Sequence, residues 1–353
     1  MATLLPAPAC GELHAVIDLG TVTSRMLLVR VGNYGLSVLE RHAVITHMGD
    51  GLAERGTISP AALDRVCSAL EGFASLIPPG VPTRAIATSA MRDAANRDAA
   101  CARIKRLGFD VEVVSGDREA ALAFSGTLSG FALDHGEKLR TVMVVDVGGG
   151  STEVIVGDLR EAFAQESVGP SNARHDSSWP HERQASTVRQ AKSFDIGSRR
   201  VTDMFLPSMP PGRDELAAAN SWVAGQMSPY YAQLAQNGFM PAAVYAVAGT
   251  ATTAASVFKE LQVYDPTLVH GTILRIEDLE AILERLSALS LVQCCEVAGL
   301  DPLRAPVVVG GLVVLTNALR LSNVSQLVVS ETDILEGVLL EALEQTSRRR
   351  SDT

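Results

Sequence analysis

At 353 residues, 47% hydrophobic and 20% charged, the chain is long enough for two domains with separate cores and leaves little room for extensive disorder. Its net charge of −10 argues against nucleic acid and anionic membranes as partners, so a strongly anionic substrate requires a locally basic channel. Five scattered cysteines (Cys10, Cys67, Cys101, Cys294, Cys295) form neither a disulfide framework nor a zinc pattern. With no basic-apolar leader and no uninterrupted apolar run of spanning length, they suggest a soluble cytoplasmic protein.

The first predicted unit is VIDLGTVTSRMLLV, Val16 to Val29. An apolar strand ends in Asp-x-Gly, a short turn of small and hydroxyl residues follows, and a second apolar strand leaves. A third strand covers Leu36 to Ile45, and THMGDGL (Thr46 to Leu52) reads as a Gly-rich loop. Ser59 and Pro60 are the N-cap and first residue of a helix. A strand over Thr83 to Ala87 ends in ATSAMRDAANRD, with a helix onward to about Leu107. The strand Asp110 to Val114 gives way to the helix DREAALAFSGTL, and VVDVGGGSTEVIVG (Val144 to Gly157) repeats the first unit. Residues 160 to 192, rich in Ser, Gln, Arg, Pro and His, lack apolar periodicity and read as a mobile insert. The bland reading, a solvated loop, also covers His175, Trp179 and His181.

Beyond the insert come SFDIGSRRVTDMFL, a helix over Arg213 to Gln236, and the strand Ala242 to Ala248 ending in GTATTAASV. Helices are predicted over Ile276–Leu289, Leu291–Ala298 and Ala305–Leu321. A strand, Gln326–Val329, then precedes a last helix from Asp333 to Gln345. This pattern is that of an α/β chain with two lobes.

Laid over each other, the two strand–turn–strand units match Asp18 with Asp146, Gly20 with Gly148, Thr23 with Ser151 and Ser24 with Thr152. Such turns expose successive N–H groups and hydroxyls to a phosphate, and their aspartates can reach a divalent cation. Gly148, Gly149 and Gly150 let backbone approach a phosphate that side chains would obstruct. Ser151 and Thr152 add hydroxyls, while Asp146 and Glu153 are candidate Mg²⁺ ligands. A glycine turn alone also suits a tight hairpin; the whole spacing is more specific. Glu119, in the first turn of its helix, suits a general base, with Asp117 and Glu112 as rivals. Arg92, at a helix start, can fork onto phosphate oxygens. Gly249 and Thr250 form a further helix N-terminus open to an anion, or else a close packing turn.

The ordered set VIDLG, ATSAMRDAANR, VVSGDREAAL, DVGGGSTE, SFDIGSRRVTD and AVAGTATT resembles the exopolyphosphatase / guanosine pentaphosphate phosphohydrolase (Ppx/GppA) family. The resemblance runs from about residue 13 to 343 and takes in YDPTLVHGTIL, RAPVVVGG and SETDILEG. It implies two ribonuclease-H-like lobes of the actin / Hsp70 / sugar-kinase fold around a cleft. The lobes would span 11–138 and 139–330, with a helix over 331–346 packing back on the first.

It further implies that Glu119 activates water, that Asp146 and Glu153 serve catalysis and Mg²⁺, and that Gly148 to Thr152 grip phosphate. Arg92 would contact substrate, while Asp18, Gly20, Thr21 and Thr23 belong to the first phosphate motif. A homodimer is also implied. Three positions depart from the family pattern: Val22 stands where asparagine is usual, His47 where arginine is frequent, and Ala121 ends the usual Glu-Ala-Arg run. Arg25, Arg199, Arg200 and Arg304 are candidates for a basic channel.

The leading expectation is Mg²⁺-dependent release of terminal orthophosphate from polyphosphate. A pppGpp 5′-phosphohydrolase is the alternative enzyme, although no local signature for a guanine base is visible. A phosphate- or nucleotide-binding regulator without turnover is the alternative of another class, favoured by Val22 and opposed by Glu119, Asp146 and Glu153.

Overall fold

The computed structural model describes residues 11–32, 35–131, 140–159 and 187–351. In the first lobe β1 (Glu12–Leu19), β2 (Thr23–Gly32) and β3 (Gly35–Ile45) form a meander. There follow α1 (Leu52–Arg55), α2 (Pro60–Leu76), β4 (Thr83–Ala87), α3 (Ser89–Asp93), α4 (Arg97–Lys105), β5 (Val111–Val113) and α5 (Gly116–Ser129).

The second lobe opens with a corresponding meander: β6 (Arg140–Val147), β7 (Thr152–Leu159) and β8 (Thr187–Phe194). Next come α6 (Ser198–Phe205), α7 (Arg213–Gln236), β9 (Ala243–Val247), α8 (Ala248–Phe258), α9 (Pro266–Val269) and β10 (Ile273–Arg275). The chain continues through α10 (Ile276–Ser287), α11 (Leu291–Cys295), α12 (Ala305–Ser322), β11 (Gln326–Val329) and α13 (Ile334–Ser351).

The two sheets are built alike. The first has the order β3-β2-β1-β4-β5 and the second β10-β11-β9-β6-β7-β8, so β8-β7-β6-β9-β11 repeats the first sheet and β10 is an added edge. Directions agree too: the meanders are antiparallel, whereas β1–β4, β4–β5, β6–β9 and β9–β11 are parallel. Register shifts fall at corresponding places, Leu28/Val29 and Val156/Gly157. This doubled topology is that of the expected two-lobed actin-like fold.

Both faces of the central strands are buried, which explains their nearly unbroken apolar runs. Ile17, Leu19, Leu70, Phe73 and Ile104 fill the outer core of the first lobe. Val16, Leu27, Val29 and Ile86 meet Leu122 of α5 and Ile334, Leu335 and Val338 of α13. On its other side α5 sets Ala120, Phe124 and Leu128 against Val142, Val144, Ile155 and Val247 of the second sheet. Thus α5 lies between the lobes.

Three expectations change. Residues 187–192, assigned to the insert, belong to β8; TVRQAKSF is a polar edge strand that pairing with β7 defines. Residues 160–186, including His175, Trp179 and His181, lie outside the described residues. The single helix expected after β4 is two, α3 and α4, broken at Ala94, whose backbone is extended. Finally, α12 has the length and hydropathy of a membrane span, but 83% of it is buried as the core helix of the second lobe.

Candidate active site

The pleat decides which charged side chains meet. Ala15, Ile17 and Leu19 of β1 point to the outer core and Val16 toward α5 and α13, so period two turns Asp18 to the α5 side. The same alternation sends Arg25 of β2 after Leu27 and Val29. In the second lobe, Val142 and Val144 direct Asp146, and Ile155 directs Glu153, toward α5. Across the hairpins Asp18 opposes Arg25 and Asp146 opposes Glu153. One lobe therefore presents an ion pair where the other presents two carboxylates. Between them α5 starts at Ser115, whose hydroxyl accepts from Arg118 N at 3.3 Å, which puts Glu119 in the first turn.

The two turns share their geometry. Gly20 N donates to Thr23 O and Gly148 N to Ser151 O, each at 3.0 Å. They also touch: a Cβ on Gly149 would lie 2.5 Å from Val22 Cγ2, and one on Gly150 would lie 2.6 Å from Ser89 Oγ. Val22 thus forms an apolar seat for the second turn. Arg199 pairs across the lobes with Asp50, and Arg200 Nη2 with Asp93 at 2.8 Å.

Above the turns opens a cavity of about 660 Å³. Its wall brings together Asp18, Gly20, Thr21, Thr23, Glu119, Asp146, Gly148, Gly149, Gly150, Ser151, Gly249 and Thr250. Arg304 overhangs Gly249, and among the described residues its guanidinium has no hydrogen bond or ion pair. Of the four arginines expected to form a basic channel, Arg25, Arg199 and Arg200 are spent on carboxylates, because each lies opposite an acid of another element.

Three expected ligand contacts fall elsewhere. Arg92 Nη1 donates to Glu119 Oε2 at 2.9 Å and to Val114 O at 3.0 Å, so it holds Glu119 instead of lining the cavity. The Thr152 hydroxyl is fully buried and donates to Ile196 O at 2.6 Å. Glu153, 1% exposed, accepts from Ser193 Oγ at 2.7 Å behind the cavity wall. Arg41, Ser193, Asp333 and Glu336 are participants that sequence reading did not assign. For the last two, paired acids ahead of an apolar run were an available capping signal.

Burial dominates the electrostatics. It lifts Glu119 to about 7 against the opposing pull of Arg92, and lifts Asp146 to about 8 against Arg25. Glu153 is pushed well above the usual carboxylate range by burial, then by Glu119 and Asp146. This cluster prefers protons or a cation. Among the described residues no three acidic, His or Cys side chains form a ready cage. The buried pair Asp146 and Glu153 could hold a divalent ion of the kind that takes one or two carboxylates and keeps water and substrate oxygens. Asp146, on the wall, is the direct candidate ligand, with Glu153 behind it.

A pH dependence follows. Folded Asp146 and Glu119 bind protons more tightly than in the unfolded chain, so stability present at low pH is lost as pH rises toward about 7 to 8. Thermal unfolding of metal-free protein from pH 5 to 9 should show this fall, with Mg²⁺ restoring the alkaline end. A flat profile would contradict it.

The chain matches the Ppx/GppA phosphatase family over residues 27–346. It is 31% identical over 343 residues to exopolyphosphatase 2 of Mycobacterium tuberculosis, covering 92% of this chain and 97% of that one. A guanosine-5′-triphosphate,3′-diphosphate pyrophosphatase of Vibrio vulnificus is 30% identical over 200 residues, covering 56% and 38% of the two chains. A solved exopolyphosphatase-like protein superposes with a TM-score of 0.79 at 28% identity, covering 94% of this chain and 98% of its own.

Proposed function

The chain belongs to the Ppx/GppA phosphatase family, a family of phosphoanhydride hydrolases, and we propose that it removes terminal orthophosphate from inorganic polyphosphate. The observation that carries this reading is Glu119. It is a buried carboxylate poised near neutral pH, facing a cavity between two phosphate-type turns.

In this reading the N–H groups and hydroxyls within Thr21–Thr23 and Gly149–Ser151 hold the terminal phosphoryl group. Glu119, oriented by Arg92, takes a proton from a water whose oxygen bonds to phosphorus as the bridging P–O bond breaks. Orthophosphate leaves, and the shortened chain keeps the bridging oxygen. A divalent cation near Asp146 and Glu153, Mg²⁺ in this proposal, would neutralise charge developing on the phosphoryl oxygens. Most of the acceleration in such transfers comes from positioning and charge. Arg304 would bind the phosphate that follows.

The pppGpp reading stays as the second, favoured by the Vibrio relative. Val22, the residue that favours a non-catalytic binder, lines the cavity and packs against Gly149. Phosphate release with Mg²⁺ from long-chain polyphosphate, tripolyphosphate and pppGpp, side by side, tests the proposal. No release from either polyphosphate would overturn it.

Arg304 yields its own prediction. A Cβ on Gly249 would lie 1.6 Å from Arg304 Nη1. Gly249→Ala therefore has to displace that guanidinium, and KM should rise about tenfold, a charge-assisted hydrogen bond or so. Steady-state kinetics with unchanged KM would show that Arg304 does not bind substrate.

A further inference from the structure

Charge on the cavity wall is unevenly balanced. Its cations are Arg25, Arg41 and Arg304, whereas Asp18, Glu119, Asp146, Asp301, Glu331 and Asp333 all contribute to it. Two of the arginines are already engaged. Arg25 Nη2 donates to Asp18 Oδ2 at 2.6 Å and Nη1 to Asp333 Oδ2, while Arg41 Nη2 donates to Glu336 Oε1.

Two of these carboxylates come from one helix start. Asp333 N donates to Glu336 Oε2 at 2.9 Å, and Leu335 N donates to Asp333 Oδ1 at 3.0 Å, a capping arrangement at the head of α13. Each acid spends one oxygen on the helix and gives its other oxygen to an arginine of β2 or β3. Asp18 Oδ1, the oxygen that Arg25 does not reach, is buried without a hydrogen bond. The arginines are thus held by the fold itself, and Arg304 is the wall's unpaired cation among the described residues.

We propose that Asp333 and Glu336 are specificity-determining residues that restrict the substrate to short oligophosphates, by occupying the two arginines a longer polyanion would use. The proposal rests on the polyphosphate reading above. Each additional phosphate brings roughly one more negative charge, and at the effective dielectric of a half-buried site such a charge still changes affinity severalfold. A terminal phosphate between the turns has donors, and the next meets Arg304. Further units meet acids, or arginines already paired.

The test removes charge and keeps shape. Asp333→Asn retains the oxygen that accepts from Leu335 N, and Glu336→Gln retains an acceptor for Asp333 N. For wild type, each single variant and the double variant, kcat and KM are measured on tripolyphosphate and on long-chain polyphosphate at two salt concentrations. Wild type is expected to favour tripolyphosphate. In the double variant the long-chain KM should fall about tenfold, and about threefold in each single variant, with a steeper salt dependence and a smaller change on tripolyphosphate.

Glu341→Gln is the control. It alters an acid of the same helix that pairs with Arg118 outside the cavity, and must leave the ratio of the two KM values where it was. A ratio equally unmoved in the Asp333 and Glu336 variants overturns the proposal. Should wild type hydrolyse neither polymer, the function reading fails, and calorimetric titration with both still decides this one. Tighter long-chain binding by the charge-removed variants supports it, and equal binding overturns it. The single variants serve if the double variant does not fold.

Discussion

Glu119→Gln is expected to lower kcat for terminal phosphate release roughly a thousandfold, within the range that general bases contribute, with KM changed much less. Glutamine keeps the size of the side chain and an oxygen for Arg92 Nη1, now 2.9 Å from Glu119 Oε2, but it cannot take a proton from water. Wild-type kcat/KM should climb with pH through about 7, where burial has placed the Glu119 carboxyl, and the variant should lack that limb. Arg92 opposes burial and draws the Glu119 pKa down, so Arg92→Ala should move the limb to higher pH. A change in KM alone would make Arg92 a substrate ligand instead. Full activity of Glu119→Gln would remove the proposed mechanism altogether.

The second large effect concerns stability. Helices α5 and α13 cross with their backbones in contact: a Cβ on Gly126 would lie 1.7 Å from Asp333 O, and one on Gly337 would lie 2.0 Å from Leu122 O. A backbone oxygen cannot swing away as a side chain can, so the helices must separate. Gly337→Ala is expected to cost about 2–3 kcal/mol, the overpacking range. The same separation shifts α5, which carries Glu119, so catalysis should suffer as well. A Cβ on Gly72, in α2, would meet nothing within 4 Å, and Gly72→Ala should be neutral or stabilising by about 0.5–1 kcal/mol. Chemical unfolding of both variants settles the point; equal stabilities would mean that the helix crossing has slack.

Much of this architecture was legible in the sequence. The two Asp-x-Gly hairpins show because a strand buried on both faces is written as an apolar run, and because its turn needs small residues. The helix start at Ser59–Pro60 showed for a similar local reason, and Ser59 Oγ accepts from Ala62 N at 3.2 Å. β8 stayed hidden because an edge strand has no apolar face of its own and is defined by its neighbour. The sequence makes Thr152 a candidate ligand because a hydroxyl beside a glycine turn looks alike whichever way it points. The partner that settles its direction, Ile196 O, lies 44 residues on. The sequence suggests phosphate for Arg92 because its charge is local information, whereas Glu119, which claims it, belongs to another helix. Charge pairing across distant elements was the unreadable part.

That pairing has a consequence for how the molecule is made. Arg25 and Asp333 are 308 residues apart in the chain, and Arg41 and Glu336 are 295 apart. The strands holding these arginines leave the ribosome long before the acids that neutralise them. Until α13 arrives, Arg41 lacks the carboxylate of Glu336, and Arg25 has Asp18 but not Asp333. A chain stalled before residue 333 should therefore hold polyanions more tightly than the finished chain does.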